Sequence, residues 1–289
     1  MPVADRSGKT VDLKDLHANV LRRLYTTAAG RGVLKLLTKP GLSRLTGRFL
    51  DSRASQKLIP RFVSRNGIDL ADYEQRPFDS FNDFFCRRIL DGKRPVDPDE
   101  NALIAPADSK LTVLPVTDAG TFRIKNILYT FWQLVRDEAL AAQFRGGTIL
   151  IFRLTVSDYH RYCWPCTGTA SKENQLAGIL HTVNPVAAES RPIYAENTRE
   201  YTLIETERFG TMLMMEVGAM LVGRIVNDRL GNALRGAEKG HFEYGGSTVI
   251  LVLEKGRADI DPALVENTKN GYETAVKMGE RIAVATKSK

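Results

Sequence analysis

The chain has 289 residues, 26% charged and 43% hydrophobic, with a formal net charge of +7. That length buries a conventional core as one large domain or two smaller ones, and the ordinary composition excludes bulk disorder and any need for disulfide or metal staples. Three cysteines, Cys86, Cys163 and Cys166, are too few for a disulfide framework, the first residues lack the apolar core of a signal peptide, and no stretch approaches the ~20 apolar residues of a spanning helix. A cytoplasmic setting is expected, with any membrane contact peripheral.

In chain order, residues 1–20 read as a loose leader. Residues 20–90 read as helical, with breaks at Gly30 to Gly32, Pro40-Gly41 and Pro60, ending in the aromatic segment PFDSFNDFFCRRI. Between Val20 and Arg65 lie eleven basic residues and one acid, Asp51, a local charge of +10, so the rest of the chain sums to −3. Leu21, Leu24, Val33, Leu34, Leu37, Leu45 and Phe49 interleave that charge at helical spacing. Such a segment suits an anionic phospholipid surface, at about 1 kcal/mol per basic residue; a solvated helical face over the core is the plain alternative. Nucleic acid is disfavoured, because no recognised binding motif accompanies the charge.

Beyond residue 90 the pattern becomes β-rich: LTVLPV from Leu111, TILIFRL from Thr148, EYTLIET from Glu200, TMLMMEVGAMLVGRI from Thr211 and STVILVLE from Ser247. One helix is predicted near Tyr129 to Phe144 and another over Pro262 to Met278. The fold class is α+β, a helical N-terminal region packed on a mainly antiparallel sheet, with a division at residues 1–90 and 91–289.

Two stretches carry candidate chemistry. Thr248 to Leu253 is apolar and unalternating, the pattern of a strand buried on both faces, and Gly245-Gly246-Ser247 stands at its mouth. A turn or bulge is the bland reading; the functional one is a strained Gly-Ser peptide attacked by the serine's own hydroxyl. DYHRYCWPC, from Asp158, offers a histidine, a carboxylate and a Cys-x-x-C pair. As a zinc site it lacks a second pair, and as a redox site it should open a helix, whereas it follows a strand and runs into Pro165 and Gly168, so no metal is expected. Met212, Met214 and Met215 read as core filling, and His17 and His241 as surface or turn residues. Arg199 reads as a contact for an acidic substrate group or as an ordinary salt bridge.

IAPADSKLTVLP, DYHRYCWP, MEVGAMLVGRI and GGST, with FNDFFCRR and NTREYTLI, occur in order and in register, and the chain from about residue 20 onward resembles the phosphatidylserine decarboxylase family in its short form. The resemblance implies a proenzyme that makes its own cofactor. Ser247 would attack the Gly246 carbonyl, the chain would split between 246 and 247, and the new end would become a pyruvoyl group, the electron sink for loss of carbon dioxide. The two cleaved chains would stay associated, and a homodimer is usual in the family. The family uses an Asp-His-Ser triad for cleavage, and Asp108 and Ser247 match it. The triad histidine, second in the DYHRxH motif, is replaced here by Cys163, while the first, His160, is retained for protonating the product carbon. Cys163 as a weak base, His181 as its substitute, or an uncleaved lipid-binding homologue are the three expectations. A relative acting on a free amino acid is the alternative to a lipid substrate.

Overall fold

The computed structural model describes residues 1–11, 18–38, 40–189, 191–219, 224–228, 231–243 and 247–286. Its centre is a large sheet, with strands in the order Asn232–Ala233, Gly168–Ala170, Arg199–Thr206, Gly210–Val217, Ser247–Leu253, Thr148–Leu154, Ser109–Pro115, Glu273–Val276, Val3–Ala4 and Thr10–Val11. Every neighbouring pair along this path is antiparallel except Val3–Ala4 against Glu273–Val276. The α+β class holds. The Ser247–Leu253 strand is buried at all seven positions, as its unbroken apolar run requires, and lies between Thr148–Leu154 and Gly210–Val217. Met212, Met214 and Met215 are fully buried core residues.

Several boundaries differ from the sequence reading. The first residues are no loose leader: Val3 and Ala4 are buried and extend the sheet. The helix expected near 129–144 is two, Phe131–Val135, closed at its start by a Thr130/Gln133 capping box, and Glu138–Gln143. The helix from Pro262 stops at Lys269; Gly271, at φ 81°, takes the left-handed turn, and Glu273–Val276 pairs as a strand with Ser109–Pro115. No break falls at Gly30 to Gly32, because the helix Ala28–Leu37 runs through both. Gly30 is there for contact: a Cβ on it would come within 2.4 Å of the Arg23 carbonyl oxygen in the helix Ala18–Thr26.

Tyr25 and Leu34 from these first helices join the main core, whereas Phe81, Phe84 and Phe85 form a second cluster with Leu50, Ile59, Phe62 and Val63. Through Phe85, which packs on His160, the aromatic motif ties the N-terminal helices to the turn just before the strand Arg161–Cys163. A three-stranded sheet, Arg224–Asn227, Glu238–Glu243 and Arg161–Cys163, makes up that part of the molecule. Among the described residues no helix is long and apolar enough to cross a membrane.

Candidate active site

The pairing register gathers the predicted residues at one end of the large sheet. Ser247 opens its strand opposite Leu154, the last residue of the neighbouring strand. On the other side Thr248 faces Val217, which brings the Glu216-Val217-Gly218 motif to the same end. Lys110 faces Arg153, so Asp108, two residues earlier, also emerges there. Ser247 is fully buried, and its hydroxyl has no hydrogen-bond partner among the described residues. Gly246, its expected partner in cleavage, lies outside the described residues.

The turn from Leu154 to His160 is fixed by a partly buried ion pair. Lys110 Nζ contacts both oxygens of Asp158 at 2.6 and 2.8 Å, and Asp158 also accepts the Thr155 backbone N–H at 2.7 Å. His160 follows, fully buried. Its Nδ1 lies 2.9 Å from the Asp158 carbonyl, its ring centroid 4.1 Å from that of Phe85, and its carbonyl accepts the Phe242 N–H. A carbonyl only accepts, so Nδ1 is the protonated nitrogen and Nε2 is the basic one.

The other predicted residues differ in circumstance. The Asp108 carboxylate accepts from Arg94 through Nε at 2.9 Å and Nη2 at 2.7 Å, and from the Met278 backbone N–H at 2.9 Å. Arg94 was not singled out from the sequence, where nothing in its spacing marks it. Cys163 neighbours this pair, its N–H donating to Pro106 at 2.9 Å. Burial first, and the Asp108 charge after it, pushes the Cys163 thiol up to about 12. Its thiolate fraction at pH 7 is then on the order of 10⁻⁵, which leaves little for general-base work. The Cys166 thiol is likewise pushed up to about 12 by burial, the reverse of a redox-active pair. Among the described residues no group of three or more metal-ligating side chains is assembled.

His181 belongs to a neighbouring cluster: Nδ1 lies 3.1 Å from the Tyr25 hydroxyl and Nε2 3.3 Å from Glu196. Its backbone is bound by Asn197, whose Nδ2 donates to the carbonyls of His181 and Gly218 at 2.8 and 2.7 Å. Arg199 corrects both expectations for it. Fully buried, it donates to the Gln133, Leu134 and Asn197 carbonyls at 2.7 to 2.8 Å, closing the end of a short helix rather than meeting a carboxylate. His241 is neither in a turn nor fully exposed: it sits in the Glu238–Glu243 strand opposite Arg161, and burial, assisted by that charge, lowers it to about 4. His17 lies outside the described residues.

Behind the site lies a buried charge network. Lys239 Nζ reaches Glu216 at 2.9 Å and Asn227 Oδ1 at 3.0 Å, and Asn227 Nδ2 donates to Glu200 at 3.0 Å. Glu200 and Glu216 face one another on paired strands. Burial, with the Glu216 charge beside it, raises Glu200 to about 7, and burial raises Glu216 as well.

Residues 81–284 match the family model described as phosphatidylserine decarboxylase. The phosphatidylserine decarboxylase proenzyme 2 of Clostridium acetobutylicum is 42% identical over 263 residues, covering 91% of this chain and 90% of its own. The phosphatidylserine decarboxylase proenzyme of Clostridium botulinum is 38% identical, covering 89% and 90%, and that of Ruminiclostridium cellulolyticum is 38% identical, covering 97% and 96%. With the serine strand, the DYHR turn and the Glu216 to Gly218 strand end at one pole of the sheet, and with similarity over nine-tenths of its length, the chain belongs to the phosphatidylserine decarboxylase family.

Proposed function

We propose that this protein is a self-processing decarboxylase that converts phosphatidylserine to phosphatidylethanolamine with a pyruvoyl group formed from Ser247. The observation that carries this reading is the buried Ser247 hydroxyl, without a partner among the described residues, at the first position of the central strand. In maturation the Ser247 Oγ–carbon bond forms as the Gly246 carbon–nitrogen bond breaks. Removal of the Ser247 α-proton would then expel the Gly246 carboxylate and leave an enamine, whose imine tautomer water would hydrolyse to a ketone with release of ammonia. Ser247 fits that group: a cut before it leaves Ser247 paired with Leu154 and the six residues Thr248 to Leu253 paired on both sides, so the 43 residues from Ser247 to Lys289 would stay bound to the larger chain. Once formed, the pyruvoyl group supplies the electron sink for decarboxylation.

We assign His160 as the base for the serine proton, in addition to its family role of protonating the product carbon. Its tautomer is fixed by the Asp158 backbone carbonyl, and the Asp158 side chain is in turn held by Lys110. Cys163 and Asp108 act on the site's shape: the thiol packs in the interior, and the Asp108–Arg94 pair ties Met278 to the start of the Ser109–Pro115 strand. The region up to about residue 90 serves as the membrane-facing part, with Val33, Leu45, Phe49 and Leu58 exposed among Arg23, Lys35, Arg48 and Lys57.

Intact mass of the denatured protein is the test. Two chains breaking between 246 and 247, the smaller with a blocked end, followed by release of carbon dioxide from phosphatidylserine vesicles, are expected. An uncleaved 32.2 kDa chain, or a cleaved one active only on free amino acids, would overturn the reading.

A further inference from the structure

Five lysines and arginines are buried among the described residues: Arg87, Lys110, Arg153, Arg199 and Lys239. Four are compensated. Lys110 holds Asp158, Arg153 holds Glu273, Lys239 holds Glu216, and Arg199 holds three carbonyls. Arg87 is the exception. It is fully buried, its Nη1 reaches the Phe84 carbonyl only in a long contact of 3.4 Å, and its Nε and Nη2 have no acceptor among the described residues. Its guanidinium lies over the rings of Tyr73 at 4.2 Å and Phe84 at 4.8 Å. Two aromatic faces offset part of the desolvation of a cation, but they do not use its N–H donors.

The position is next to the chemistry. Phe85, two residues before Arg87, packs on His160, and Cys86 between them contacts the Phe242 carbonyl through Sγ at 3.6 Å. Tyr73 is near enough to feel the charges of Arg87, Arg94 and Asp108 together. A guanidinium whose Nε–Nη2 edge has no acceptor among the described residues, held by aromatic rings next to the residues that pack on His160, is suited to receive an oxyanion bidentately.

Resting on the lipid reading above, we infer that Arg87 is the binding residue for the phosphodiester of the lipid head group. The substrate carries a second anion, the serine carboxylate, but an arginine clamped on it would stabilise the charge that must disappear as carbon dioxide leaves, and so would raise the barrier. The phosphodiester keeps its charge throughout the reaction. Holding it stabilises ground and transition states alike, which lowers KM and leaves kcat unchanged.

The cleaved protein can be probed without turnover. Cyanoborohydride reduction in the presence of glycerophosphoethanolamine or of ethanolamine fixes the amine on the 247–289 chain, and intact mass reads how much is captured at each concentration. Wild type is expected to half-saturate with the phosphodiester-bearing amine at a concentration on the order of 10²-fold lower than with ethanolamine. Arg87→Met should abolish that preference while leaving ethanolamine capture unchanged. Arg87→Lys, which keeps bulk and charge but not the planar fork, should reduce it about tenfold and stands in should the methionine variant not fold. No preference in wild type, a preference that survives both substitutions, or equal loss for both amines would overturn the assignment. A wild-type protein that is cleaved but captures neither amine would instead overturn the pyruvoyl reading on which it rests.

Discussion

The sharpest consequence of the site concerns the residue that replaces the family's second histidine. A thiol in water, with a pKa of ~8.5, is about 3% thiolate at pH 7, and one at about 12 is on the order of 10⁻⁵ thiolate, a loss of roughly 10³ in competent base. If His160 is the base, Cys163→Ala should leave the rate of chain cleavage within about twofold, whereas His160→Asn should slow it by ~10² to 10⁴. The pH dependence bears on the same point. A Cys163 thiolate far below its pKa would make the rate climb tenfold per unit from pH 7 to 9, and a slope well below that would exclude the thiolate as the base. Precursor made by cell-free synthesis, followed on gels as it splits into residues 1–246 and the 43-residue chain, yields both readouts. Cleavage abolished by Cys163→Ala with the melting temperature unchanged, or a slope of one against pH, would refute the reasoning.

Other outcomes follow from the same geometry. Arg94→Met leaves the buried Asp108 carboxylate with only the Met278 N–H and should destabilise the fold by about 3–5 kcal/mol in urea unfolding; a loss under 1 kcal/mol would contradict the pairing. Glu200 has its pKa raised to about 7 in the folded state, so the unfolded chain releases that proton first and stability declines as pH rises from about 4.5 to 7. Glu200→Gln should remove about 1–2 kcal/mol of that decline, allowing for partial exposure, read as a shift in urea midpoint between pH 5 and pH 8. Gly30→Ala, which on helix propensity alone stabilises, should instead lower the melting temperature, because the methyl meets the Arg23 carbonyl at 2.4 Å. Reversing the charges of Arg23, Lys35, Arg48 and Lys57 should weaken binding to anionic vesicles, and added salt should weaken it in the unaltered protein; unchanged binding in both would exclude the membrane face.

Local pattern carried much of this protein. The unalternating run after Ser247 identified a strand buried on both faces, methionines at 212, 214 and 215 belonged to the core, and the order of the GGST, DYHR and MEVGA motifs pointed to one family. These readings hold because strand pairing and burial follow from short-range periodicity, and because a nucleophile placed at the mouth of a strand is visible in consecutive residues.

Tertiary structure decided what depends on residues far apart. The partner of Asp108 is Arg94, fourteen residues earlier, and the partner of Val3–Ala4 is a strand at 273–276; neither pairing has a local signature. The burial that pushes Cys163 up to about 12, the three carbonyls that occupy Arg199, and the two aromatic faces over which Arg87 lies likewise arise only when several segments close on one point. Residue type sets which reactions a side chain can perform. The dielectric and the donors around it, supplied by distant parts of the chain, set which of them it is free to perform at neutral pH.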